Sequence, residues 1–119
     1  MTEDKPKQES SSKQIEWYVT PNGREPCKEW LETLDNTVEA RIRSYLARLA
    51  EGGSSKNLKS VGAGVFEVKI NTGPGYRVYF AEVGGKMILL LIGGDKKTQF
   101  MDIIQAKKYW SEYETRKKL

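Results

Sequence analysis

Apolar and polar residues alternate most clearly between residues 64 and 99. Three apolar runs, at 65–70, 76–83 and 86–92, are separated by glycine-bearing turns short enough to join antiparallel neighbours. This pattern predicts a three-strand β-meander. A further β-prone run at 15–20 ends in a Pro-Asn-Gly turn, which predicts an N-terminal strand.

Apolar residues at helical spacing predict three helices. Pro26 suits the first turn of a helix over 26–34, and a polar break separates it from a second helix over 37–51. These two helices form an αα-hairpin whose apolar stripes need a sheet to cover. The last helix begins near Thr98, a suitable N-cap, and its C-terminal end is basic.

The order of these elements predicts an α+β fold, β-α-α-β-β-β-α. Its sheet is mainly antiparallel, formed by the meander and the N-terminal strand, with the helical hairpin on one face and a C-terminal helix. The length of 119 residues predicts one domain, at 15–119. Residues 1–14 are polar and predict a disordered tail, and residues 54–64 predict a mobile basic loop.

Alternation along the first two meander strands separates two faces. One face carries the apolar residues Phe66, Val68, Ile70, Val78 and Phe80, which we expect to pack on the helices. The other carries Glu67, Lys69, Arg77 and Tyr79, which we expect to stand on an uncovered surface.

Composition narrows the chemistry that this chain can use. Histidine is absent, which excludes Ser/His and Cys/His catalysis, so acid and base roles fall to Glu, Asp, Lys or Tyr. The single cysteine, Cys27, excludes an internal disulfide and is predicted to have a packing role. The net charge of +4 lies wholly within residues 53–97, which hold seven cations and three acids. No apolar signal core precedes residue 15, and the apolar run at 87–92 is too short to span a bilayer.

Four cations, two within the meander strands and two shortly after the last strand, form the main candidate site. Arginine offers a planar fork to phosphate and lysine a mobile point charge, so together they suit a phosphodiester and a pentacoordinate phosphorus. Tyr79 could stack an unpaired base. The alternative is a solvated sheet face on which Glu67 and Arg77 form a charge pair, and the pattern leaves both open. The cations of the set are Lys69, Arg77, Lys96 and Lys97.

The runs GVFEVKINTGPGYRVYF and LLLIGGDKKTQFMDIIQAKKYW resemble the RelE/HigB superfamily of toxins, in particular the addiction module killer proteins. The resemblance covers about residues 15–115 and implies the same β-α-α-β-β-β-α domain. It implies a cytoplasmic toxin that cleaves mRNA on the ribosome without a metal or other cofactor. It also implies a small helix-turn-helix antitoxin as partner, contact with operator DNA only through the antitoxin complex, and no membrane association.

The resemblance also assigns roles to residues. Arg77 falls on the arginine of the family's GYR motif and would stabilise the phosphate, while Lys69 falls near a catalytic lysine of the preceding strand. The general base stays open among Glu67, Lys69 and Asp95. Relatives carry a tyrosine or histidine in the last element, where this chain has Asp102 and Ile103. The catalytic candidates are Arg77, Lys69, Lys96, Lys97 and Glu67, and the RNA-binding candidates are Lys56, Lys59, Tyr79 and Lys86.

Two other functions fit the same scaffold. One is a toxin without nuclease activity, like the ParE group that poisons DNA gyrase, and the other is a degenerate protein that only binds its antitoxin. Rapid loss of mRNA after induction would indicate a nuclease, whereas DNA damage with intact transcripts would indicate a gyrase poison.

Overall fold

The computed structural model describes residues 12–53 and 56–118. The elements follow the chain as β1 (Gln14–Trp17), α1 (Pro26–Glu32), α2 (Asn36–Ala50), β2 (Leu58–Gly62), β3 (Val65–Ile70), β4 (Tyr76–Val83), β5 (Met87–Gly94), a short 3-10 helix (Lys96–Thr98) and α3 (Gln99–Lys118). Within these residues, no helix is both long and apolar enough to cross a membrane.

The five strands form one sheet in the order β1-β5-β4-β3-β2. β1 runs parallel to β5, and the other pairs are antiparallel. The predicted α+β fold with its mainly antiparallel sheet is confirmed. The predicted mobile loop at 54–64 is wrong at Leu58–Gly62, because these residues form β2 and pair with β3. Lys59 lies opposite Glu67, and Leu58 packs against the core.

The α1–α2 hairpin covers one face of the sheet, as the apolar alternation predicts. Val68, Val78 and Phe80 are buried there against Leu31 and Ile42. Cys27 is buried in the same cluster, which agrees with its predicted packing role.

The other face of the sheet is also covered, so the expected uncovered surface is wrong. Helix α3 packs across it and buries Tyr79, Ala81, Leu89 and Leu91 around Ala106. The physical reason is that Glu67, Lys69 and Arg77 occupy only one end of this face, whereas the rest of it is apolar. The sheet is therefore the middle of three layers.

Local caps set where the helices begin. The Asp35 carboxylate accepts a hydrogen bond from the Thr37 N–H (3.1 Å), so α2 starts at Asn36, one residue before the predicted start. Thr98 is not the cap of the last helix. Asp95 accepts from the backbone N–H groups of Lys97 (2.9 Å) and Thr98 (3.3 Å) and so caps a 3-10 turn, and α3 follows at residue 99, next to its predicted start.

The predicted disordered tail lies mainly outside the described residues, which begin at 12. Its last residue, Gln14, is the first residue of β1, and the N–H of Lys13 donates to the Ala50 carbonyl at 2.7 Å. β1 therefore begins one residue before the predicted strand at 15–20 and ends earlier, at Trp17.

Candidate functional site

Strand register brings the predicted cations to one end of the sheet. Lys69 on β3 lies directly opposite Arg77 on β4, and Arg77 lies opposite Gly94 on β5. A Cβ atom on Gly94 would overlap the Asp102 carboxylate and lie only 2.6 Å from the Thr98 hydroxyl. Three strands and the start of α3 therefore converge here.

Glu67 is the buried centre of this end of the sheet, with 3% of its surface exposed. Its Oε2 accepts hydrogen bonds from the Tyr79 hydroxyl (2.9 Å) and the Gln99 side-chain amide (2.8 Å). The same oxygen lies 3.7 Å from Arg77 Nε, and Oε1 lies 3.7 Å from Lys59 Nζ. One carboxylate thus joins β2, β3, β4 and α3.

Arg77 is held in place by the protein and is only 7% exposed. Its Nη1 donates to the carbonyl of Gly75 at 2.8 Å, and Gly75 presents that carbonyl from a turn with a φ of +80°. Arg77 Nε has no hydrogen-bond partner in the part of the chain that the structure describes. This Nε is buried and lies 3.7 Å from Glu67 Oε2, so its charge is balanced by that carboxylate although no hydrogen bond forms.

Tyr79 cannot stack a base, so that expectation is wrong. Its side chain is fully buried beneath α3. Burial, then the hydrogen bond to Glu67 and the charge of that carboxylate, raise the pKa of Tyr79 well above its ordinary value of 10.0. The hydroxyl therefore stays protonated and donates to Glu67, which makes Tyr79 a support for the site.

The remaining candidate lysines fall at different places. Lys96 and Lys97 are exposed on the 3-10 helix. The Lys96 Cβ lies 4.0 Å from where a Cβ on Gly75 would be, which puts this lysine beside the carbonyl that anchors Arg77.

Lys86 is not part of this site. It lies in the turn between β4 and β5, beyond the pair of Val83 and Met87, whereas Arg77 is at the opposite end of the same hairpin. Six residues of extended strand separate Arg77 from Val83, a distance of about 20 Å. Lys56 lies at the same end of the sheet as Arg77, but it borders a groove on the side of the helical hairpin.

Two carboxyl groups of the site differ in their surroundings. Asp95 uses its side chain to cap the 3-10 helix. Burial raises the pKa of Asp102 above its ordinary value of 3.8, with a smaller contribution from the charge of Asp95, while a hydrogen bond from the Thr98 hydroxyl at 2.5 Å opposes the rise. Among the described residues, no three His, Cys, Asp or Glu side chains are arranged to hold a metal ion.

The sequence model of the family described as Phage derived protein Gp49-like (DUF891) matches residues 29–115, from α1 to near the end of α3. The chain belongs to the Gp49-like family. An uncharacterized protein of Haemophilus influenzae is 46% identical over 79 residues, which are 66% of this chain and 79% of that protein. The free state of a mutant of the E. coli toxin RelE has the same fold, with a TM-score of 0.53, 15% identity, and coverage of 88% of this chain and 97% of that one.

The Gp49-like family is a RelE/HigB-type toxin family, so the predicted membership in the RelE-like superfamily is confirmed. This Gp49-like chain is a toxin of the RelE type, which implies an antitoxin partner.

Sequence reasoning missed Gln99, although this Gp49-like chain uses it to fix Glu67. Helical spacing held a signal, because Gln99 precedes Ile103 and Ala106 by four and seven residues and so shares their sheet-facing side. The role of the Gly75 carbonyl had no comparable signal, since it depends on the shape of the turn.

Proposed function

We propose that this toxin is an endonuclease that cleaves mRNA on the ribosome, without a metal ion, and so inhibits translation. In this reaction a ribose 2′-oxygen attacks the adjacent phosphorus while its proton passes to a base. The bond to the 5′-oxygen breaks, and that oxygen takes up a proton. The products are a 2′,3′-cyclic phosphate end and a 5′-hydroxyl end.

The guanidinium of Arg77, held by Glu67 and the Gly75 carbonyl, carries this proposal. A non-bridging phosphate oxygen would accept from the edge of the guanidinium that Glu67 and Gly75 do not occupy. Because Glu67 and Gly75 already hold the guanidinium, little reorganisation is needed when charge builds up at phosphorus. Lys69, directly across the sheet, adds a second positive charge.

The surroundings of the carboxyl groups suggest how the protons move. Glu67 Oε2 already accepts two hydrogen bonds, so we assign Glu67 to positioning Arg77 rather than to proton transfer. Asp95 serves as a cap. Lys69 and Asp102 are then the candidate proton carriers, and the raised pKa of Asp102 favours it as the acid that protonates the leaving oxygen.

Arg77→Ala and Arg77→Lys test the proposal together. We expect Arg77→Ala to lower cleavage by purified toxin on translating ribosomes by about 100-fold or more, with or without EDTA. Arg77→Lys keeps the positive charge but loses the planar guanidinium with its several donors, so we expect partial activity. Circular dichroism of both variants, with Lys86→Ala as a matched cation control far from the site, separates lost chemistry from lost folding.

Mapping of RNA ends after induction decides between the candidate functions. New 5′-hydroxyl ends within messages support the endonuclease. Undiminished cleavage by folded Arg77→Ala would remove Arg77 from the mechanism. Intact transcripts accompanied by DNA damage would instead indicate the gyrase-poison alternative.

A further inference from the structure

A second cationic surface lies on the opposite face of the molecule, in a groove between α2 and the ends of β2 and β3. Its wall contains two arginines of α2, a half-buried tyrosine, and hydroxyl and amide side chains. These are Arg41, Ser44, Tyr45, Arg48, Asn57 and Asn71, and Lys56 borders the groove at one end.

The groove holds positive charge that no nearby acid offsets. Arg43, on the same helix, forms an ion pair with Glu39 at 2.8 Å. Arg41 and Arg48 have no carboxylate within 4.0 Å among the described residues, and no acidic side chain lines the groove. Both guanidinium groups are therefore available for an anion.

The side chains that accompany these arginines suit a nucleic-acid backbone. The Arg48 guanidinium stacks over the Tyr45 ring at 5.6 Å, which restrains its orientation. Ser44, Asn57 and Asn71 offer neutral donors and acceptors for phosphate oxygens and ribose hydroxyls.

One turn connects this groove with the Arg77 site. Arg41 Nη1 donates to the Thr72 hydroxyl at 3.2 Å, and the Thr72 carbonyl accepts from the Gly75 N–H at 3.3 Å. Gly75 in turn anchors Arg77. The two cationic surfaces therefore flank a single turn, over residues 71–75, at the same end of the sheet.

We infer that this groove binds the phosphodiester backbone of RNA outside the cleaved bond, and this inference rests on the proposed endonuclease function. The RNA is either the continuation of the message beyond residues 71–75 or ribosomal RNA beside it. Both offer the same repeating phosphates. In either case the groove holds the toxin against its substrate and does no chemistry.

The double variant Arg41→Ala/Arg48→Ala tests the inference, with Arg43→Ala as the matched control from the same helix. The probes are a short 2′-O-methyl single-stranded RNA, which lacks the attacking hydroxyl, and purified small ribosomal subunits. We expect the double variant to bind at least one probe about tenfold or more weakly, and its salt slope to fall by about one for each phosphate that it no longer neutralises. Arg43→Ala should stay within about twofold of wild type, since its charge is already paired.

The pattern of weakened binding identifies the source of the phosphates. Weaker binding to the RNA strand supports contact with the message, and weaker binding to the subunits alone supports contact with ribosomal RNA. Arg41→Lys/Arg48→Lys should restore most of the affinity, because backbone binding depends mainly on charge. A double variant that matches Arg43→Ala on both probes overturns the inference. A double variant that binds both probes normally but no longer binds the antitoxin also overturns the inference, because the groove would then be a protein contact.

Cleavage assays keep this inference separate from the proposed function. Arg77→Ala should lose cleavage while still binding both probes through the groove. A wild-type toxin that binds through Arg41 and Arg48 but cleaves no RNA would overturn the endonuclease proposal and leave the groove as an RNA-binding surface.

Discussion

Glu67 shows how one residue joins stability and function at this site. Burying a carboxylate is costly unless charges and hydrogen bonds compensate it, and here side chains from three other elements, β2, β4 and α3, do so. The same contacts hold Arg77 and Gln99 in place. A residue that the sequence makes a candidate general base is thus a structural anchor for Arg77.

Glu67→Ala should destabilise the fold by about 3 kcal/mol, because it leaves Arg77 as a buried charge and Tyr79 without its acceptor. Urea unfolding measures the change. Glu82→Ala, at an exposed position on β4, is the control and should stay within about 0.5 kcal/mol of wild type. Equal stability of the two variants would contradict the anchoring role.

Asp102→Asn should make the protein more stable at neutral pH and not at low pH. Because the pKa of Asp102 is raised in the folded state, that state holds its proton more tightly than the unfolded chain does. The resulting cost of ionisation is fully present above the raised pKa and absent below the ordinary value of 3.8. Thermal unfolding across this range measures the gain, and a gain that does not change with pH would show that ionisation is not its cause.

At the scale of elements, the two glycines at the end of β5 let a helix approach the strand from each side of the sheet. Gly93 lies against the ring of Trp30 from α1, while Gly94 lies against Asp102 from α3. Both helices approach the strand so closely because no side chain stands between them. The position of α3 over the Arg77 site therefore depends on this end of β5.

Gly93→Ala should destabilise the protein by about 1–3 kcal/mol, because its Cβ would overlap the rigid Trp30 ring. Chemical denaturation of Gly93→Ala, Trp30→Ala and the double variant forms a mutant cycle. Since Trp30→Ala opens space for the new methyl, the double variant should be more stable than the two single effects predict. Strict additivity would show that the ring does not limit this position.

The sequence allows most elements to be predicted and fails where neighbours decide the outcome. Alternation identifies β3 and β4 and the face that packs on the helical hairpin, because burial imposes that period. β2 is polar and short, and it is a strand only because it pairs with β3. The burial of Tyr79 follows from the path of α3 across the sheet, which local patterns do not contain.

The features of the candidate site can likewise be predicted only in part from the sequence. Lys69 and Arg77 are brought together by a register that the short turn between their strands largely fixes. The separation of Lys86 follows from the same hairpin geometry and could have been foreseen. The contact of Gln99 with Glu67 joins α3 to β3 across 32 positions of the sequence, which local patterns do not contain.

At the scale of the whole molecule, three layers enclose two clusters of buried residues, one on each side of the sheet. Cys27 lies in the cluster beneath the α1–α2 hairpin, where burial raises the pKa of its thiol to about 12. This thiol is protonated and inaccessible until the layers separate.

Labelling of Cys27 by a thiol reagent should therefore report global unfolding. We expect no reaction in the native protein over the time in which the urea-unfolded protein reacts completely, and faster labelling as urea is added. Glu67→Ala should label faster than wild type, because it lowers the free energy of unfolding. Rapid labelling of the native wild type would show that the hairpin opens locally.

The parallel pairing of β1 with β5 also determines when parts of the domain can form during synthesis. Gln14 pairs with Met87, which is far from it in the sequence, so β1 cannot join the sheet until β5 has been synthesised. Gln99, which completes the surroundings of Arg77, is synthesised later still. During synthesis of this chain, the Arg77 site is therefore incomplete until the residues through Gln99 have left the ribosome.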